Sequence, residues 1–143
     1  MHYLYFLFLF LGLWSCSGKQ HTSDQQPTKD AGYYRVMHVH DSIMPLTGDL
    51  FKLRKKLSLF ESNADTIMRF DIFRIKKMLE DADEAMMSWM RTFNEPNSSI
   101  PENQRNSYYV QELENISAVG SQMYAAIDSA QILIQRLENE TQP

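Results

Sequence analysis

The chain has 143 residues, a formal net charge of −4, 43% hydrophobic and 22% charged residues, one Cys and nine Met. That length accommodates one small domain and not a two-domain enzyme. Mild acidity excludes the basic face of a sequence-independent nucleic-acid binder, one Cys excludes a disulfide framework, and five Gly with five Pro exclude a collagenous chain.

Residues 3–14 form an apolar run from Tyr3 to Trp14, and no Asp, Glu, Lys or Arg precedes Lys19. A run of this length fits a signal-peptide core and is too short for a comfortable membrane span, which takes about 20 residues. It ends in Leu13-Trp14-Ser15-Cys16, which resembles a bacterial lipobox, with an aliphatic residue at −3 and a small one at −1. Trp14 stands where that pattern has a small residue. The chemistry needs a thiol to accept a diacylglyceryl group and, after cleavage, a new amine on the same residue. The single Cys of the chain sits at that position, so residues 1–15 are expected to be a signal peptide and Cys16 the lipidated residue. Two or more acyl chains would hold the protein stably on a membrane. By analogy with such lipoproteins, Ser17 rather than Asp after the Cys favours the outer membrane of a Gram-negative cell envelope. Residues 16–32 are polar, from Ser17 through Gln25-Gln26-Pro27 to Gly32, and read as a flexible tether.

From residue 33 the pattern predicts an all-α domain over 33–140. Val36, Val39, Ile43, Leu46, Leu50, Leu53, Leu57 and Phe60 alternate steps of three and four, a heptad seam that predicts a helix over about 34–61. Pro45 lies inside it and removes an amide from the helical ladder, so a kink is expected at residues 41–45. Lys52, Arg54, Lys55 and Lys56 crowd its last turns, where positive charge suits the helix dipole. Ile72, Ile75, Leu79, Ala82, Met86, Trp89 and Phe93 predict a second helix over about 64–93, capped by Asp65 or Ser62. Asn94 to Pro101 is a strong breaker cluster. Tyr109, Leu113, Ile116, Gly120, Met123, Ile127, Ala130, Ile134 and Leu137 predict a third helix over about 102–139, begun at Pro101 or Glu102. Short connections make neighbours antiparallel, which gives an elongated three-helix bundle with coiled-coil-like heptads.

Some large apolar residues fall off these seams. Met37, Met44 and Phe51 recur every seven residues, and Phe70, Phe73, Met87 and Met90 do similarly on the second helix. A wide core face absorbs part of this surplus. Met37, Met44, Phe51, Met87 and Met90 are the residues expected to meet a partner, either an envelope protein or a second copy.

His40-Asp41, Met44-Pro45, Gly48, Leu50 and Leu53 together resemble the first helix of a group of small Bacteroidota lipoproteins often labelled "viral A-type inclusion protein". Asp81-Ala82, Glu84-Ala85-Met86-Met87, Trp89-Met90 and Phe93 are similar to the second helix of that group. The resemblance covers the signal peptide and roughly residues 35–93; the third helix matches in pattern alone. It implies a location in the cell envelope and a helical shape, and no particular reaction.

Chemistry-bearing motifs are sparse. His38 and His40 stand two apart on a helix and point about 200° away from each other, so they cannot share a metal. Thioethers suit Cu(I), and Met86, Met87, Met90, Met37, Met44 and His40 give a second reading as a periplasmic small-ligand or Cu(I) carrier. Met is also a common core filler. There is no Gly-x-Ser-x-Gly elbow and no Gly-rich phosphate loop. Glu80, Asp81, Asp83 and Glu84 lie beside Lys76 and Lys77, and ion pairs one turn apart, such as Lys76 with Glu80, account for them. The expectation is therefore a non-enzymatic protein with no cofactor. Asp41-Ser42-Ile43, Asp65-Thr66-Ile67 and Asp128-Ser129-Ala130 resemble the O-glycosylation site of exported Bacteroidota proteins, which makes Ser42, Thr66 and Ser129 candidate glycan acceptors.

Overall fold

The computed structural model describes residues 30–140. The residues read as a signal peptide, Cys16, and all but residues 30–32 of the stretch read as a tether lie outside the described residues. Four helices follow in chain order: α1 (Ala31–Ile43), α2 (Leu46–Ser58), α3 (Thr66–Thr92) and α4 (Glu102–Glu140). The described residues contain no strand. α1 and α2 form one rod, so the architecture is an all-α bundle of three rods.

The first rod is broken at Pro45, not continuous as its seam predicts. Met44 and Pro45 keep right-handed helical dihedrals, near φ −54°, ψ −38° and φ −60°, ψ −23°. What is lost is the ladder. Thr47 and Gly48 donate three residues back, to the carbonyls of Met44 and Pro45. A missing amide and a crowded ring thus interrupt the ladder for one turn, at the C-terminal edge of the stretch where a kink is expected. The rod also starts at Ala31, two residues inside the stretch read as tether.

α3 is capped as expected by Asp65, whose Oδ1 accepts from the Met68 amide at 2.8 Å. α4 starts at Glu102, and the Pro101 carbonyl accepts from the amides of Gln104 and Arg105.

Ion pairs fix the topology. Arg54 meets Asp83 at 3.3 Å, and Glu61 meets Lys76 at 2.8 Å. Seven residues forward on the first rod correspond to seven back on α3, so those two run antiparallel. Lys76 therefore reaches across to Glu61 and not along its helix to Glu80. Its neighbour Lys77 pairs one turn ahead with Asp81. Against α4, α3 is again antiparallel, with Asp71 at Arg136 and Trp89 at Glu112. The first rod runs parallel to α4, with Asp30 at Arg105 and Lys56 at Glu138.

The core is the predicted set of seams. Val36, Ile43, Leu50 and Leu57 are buried, with Val39, Leu46, Leu53 and Phe60 half-buried against them. On α3, Ile72, Ile75, Leu79, Ala82, Met86 and Trp89 are buried. α4 packs against each of the other three helices. It buries Ala126 and Leu133 in addition to its seam, because a helix with neighbours on two sides needs a wider apolar face.

Candidate interaction surface

The end of the bundle where α1 begins is closed by aromatic rings from three helices. Trp89 and Phe93 stack at 4.9 Å between centroids, and Tyr33 and Tyr108 flank Phe93 at 6.3 and 6.2 Å. His40 lies over Trp89 at 5.5 Å and 29°. Its Nδ1 donates to Asp41 Oδ1 at 2.9 Å. Trp89 Nε1 donates to Glu112 Oε2 at 2.9 Å, which satisfies the one polar atom of a buried indole. Tyr109 runs past Gly32, so closely that a β-carbon at Gly32 would sit 2.6 Å from its ring. Its buried hydroxyl has no hydrogen-bond partner among the described residues, and burial pushes its pKa up to about 12.

Above this plug, Pro45 notches the first rod. The Arg54–Asp83 register, carried one turn back, places Phe51 at the level of Met87 and then Thr47 at the level of Met90. Phe51 is 60% exposed and Met90 42%. Met87 is half-buried. Of the five residues expected to meet a partner, the structure brings these three to one stretch of the α2–α3 face. Met37 and Met44 are half-buried and pack against the core. Seven-residue spacing alone does not distinguish that packing from an outward face.

Met86 is fully buried in the core, and His38 is exposed. Among the described residues, no group of three or more His, Cys, Asp or Glu side chains is placed to hold a metal ion. None of the described helices is long and apolar enough to cross a membrane. Ser42 and Thr66 are exposed, and Ser129 is half-buried in the α3–α4 groove. The Ser42 hydroxyl donates back to the Val39 carbonyl and the Ser129 hydroxyl to that of Ala125. Thr66 stands at the first position of α3, beside its cap.

At the opposite end, an open cleft of about 360 Å³ lies at the α2–α3 turn between Leu59, Phe60, Met68 and Leu137. Leu59, Ile67, Phe70, Phe73 and Ile132 are exposed there or nearby. Their off-seam spacing carried the signal for Phe70 and Phe73. Leu59 and Ile132 carried none, because the residues three and four positions away from each are polar.

No protein-family model, curated protein or solved structure matches this chain.

Proposed function

We propose that the chain is a non-enzymatic, lipid-anchored helical protein of the cell envelope that acts as an adaptor or structural module. Cys16 carries the lipid, in the outer membrane of a Gram-negative bacterium, and the bundle presents a face to an envelope protein or a second copy. The observation that carries the adaptor role is the exposure of Phe51 and Met90 about one turn apart on the α2–α3 face. Large apolar side chains grouped on a polar surface mark contact sites more often than single ones do. Met at such a site adapts its shape to a partner at small cost. Ser42, Thr66 and Ser129 are candidate acceptors for glycan, of which Ser42 and Thr66 are exposed.

Two experiments test this reading. Labelling cells with a radioactive fatty acid should mark the wild-type protein and not Cys16→Ala, and the variant should leave the membrane fraction. An unlabelled wild type would remove the anchor. A photo-crosslinking residue at position 51 should capture one dominant envelope protein, whereas capture of none would remove the adaptor role.

A further inference from the structure

A second apolar face lies on the solvent side of α3. Phe70 and Phe73 are 65% and 66% exposed, and Ile67 is exposed beside them. At about 100° per residue, positions 66, 70, 73 and 77 lie opposite the buried Ile72–Ile75–Leu79 stripe. Ile132, also exposed, stands on α4 in a groove that Arg74 and Arg136 line with it.

Cations surround it. Arg69, Arg74 and Lys77 flank the rings along α3, and Arg136 of α4 faces Arg74 across the groove. Arg74 and Arg136 share one carboxylate, that of Asp71, at 3.6 Å each. Arg69 has no ion-pair partner among the described residues. The chain is acidic overall, yet every exposed charged residue of α3 between Thr66 and Lys77 is a cation, with Lys77 paired to Asp81 one turn on. Further along α3 the outward side chains turn acidic, at Glu80, Asp81 and Glu84.

From this face we infer that α3 between Thr66 and Lys77 is a membrane-surface contact, with Phe70 and Phe73 entering the headgroup region of an anionic phospholipid layer. Two rings one turn apart make a wedge rather than a groove. Flanking Arg and Lys reach lipid phosphates while their stems stay on apolar surface. A second copy docked about Phe70 and Phe73 would bring the same cations together, which disfavours it. A phosphate layer takes both the rings and the charge.

The face stands on its own residues, but its use rests on the anchored reading. Fourteen residues separate Cys16 from Ala31 and reach at most about 50 Å. α4, with 39 residues, is about 58 Å long. Phe70 and Phe73 stand on the side of α3, so a bundle seated on them lies along the membrane, with the Ala31 end within reach of that segment. The anchor holds the face near the lipid, so weak intrinsic affinity is enough.

The test places a polarity-sensitive fluorophore at Thr66→Cys in the full chain, with Ser117→Cys on the far side of α4 as reference. The chain is reconstituted in vesicles of phosphatidylcholine with phosphatidylglycerol, and quenching by a nitroxide-bearing lipid is read. The parent chain is labelled in parallel: an unreactive parent confirms that Cys16 is blocked, and a reactive one rejects the anchor without touching the face. The expected result is quenching at position 66 and none at 117. It should be lost in the Phe70→Asp/Phe73→Asp double variant, and reduced in Lys77→Glu and in vesicles of phosphatidylcholine alone. Both rings are exposed, so the double variant should keep its helical circular dichroism. Equal quenching at both sites, none at position 66, or quenching indifferent to the Asp substitutions would overturn the inference. A blue-shifted label at 66 that the lipid does not quench would overturn it in favour of a protein contact.

Discussion

Arg105 Nε lies 2.7 Å from Asp30 Oδ2, an ion pair that joins the start of α1 to the start of α4. The same guanidinium donates to the carbonyls of Ser98 and Ile100, so one side chain gathers the loop before α4 and the point where the first rod begins. The hydrogen bond to Arg105 lowers the Asp30 pKa below its ordinary 3.8. A carboxyl whose folded pKa is depressed adds stability that is full above 3.8 and fades as pH falls through the lower folded value. Arg105→Gln should therefore melt below the wild type at neutral pH, with the gap narrowing as acid removes the ion-pair share and leaves that of the bonds to Ser98 and Ile100. Hydrogen exchange should show faster opening of the first turn of α1. A gap that does not narrow on acidification would place the effect elsewhere than the ion pair.

Gly32 is required by closeness and not by backbone shape. A β-carbon there would meet Tyr109 Cβ and Cδ2 at 2.6 Å, and ring and helix cannot both stay. Gly32→Ala should cost about 1–3 kcal/mol, the usual range for overpacking. Urea denaturation would measure it. An unchanged midpoint would mean that the start of α1 is not held against α4.

Tyr109 makes a prediction at the other end of the pH scale. Its ring is 2% exposed and its hydroxyl has no described partner, so burial holds the phenol neutral up to about pH 12. The unfolded chain ionises near 10. The folded pKa is the higher one, so stability should be flat below pH 10 and fall between 10 and about 12. Tyr109→Phe removes an orphaned hydroxyl at little loss of packing. It should leave neutral-pH stability unchanged or raise it by up to about 1–3 kcal/mol, and flatten part of the alkaline fall. A loss above that range on Tyr109→Phe would reveal a partner for the hydroxyl.

The thioethers are spread over different surroundings. Met86 is sealed in the core, Met37 and Met44 pack beneath α1, and Met87 and Met90 stand on the α2–α3 face. Cu(I) prefers several soft ligands converging on one point. Titration with Cu(I) against a competing chelator should give no saturable site at micromolar concentration. A stoichiometric site lost in Met87→Leu/Met90→Leu would favour the carrier reading instead.

Much of the bundle was legible in the sequence because heptad spacing reports which side of a helix is buried. Val36, Ile43, Leu50, Leu57, Ile72, Leu79, Ile116 and Met123 all sit where their spacing puts them. Asp65 was legible as a cap for a local reason, since its carboxylate serves an amide three residues on. Contacts between helices were not. Trp89 with Glu112, and Lys76 with Glu61, depend on the register of separate rods, which no single-helix period encodes. For the same reason, spacing could not tell Met37, packed inside, from Phe51, standing outside. Nor does it say what covers Phe70 and Phe73. Periodicity identifies the face turned from the core, and the chemistry of its occupant must be read from the charges around it.

The most direct test of the central claim is a crosslinking pull-down of the native protein from its own membranes, read by mass spectrometry. Wild type would be compared with Phe51→Asp/Met90→Asp. Both positions are exposed, so the variant should fold and stay in the membrane fraction. The account predicts one dominant envelope partner with wild type, its crosslinks centred on the α2–α3 face, and its loss in the variant. The same partners at the same yield from both proteins would contradict it.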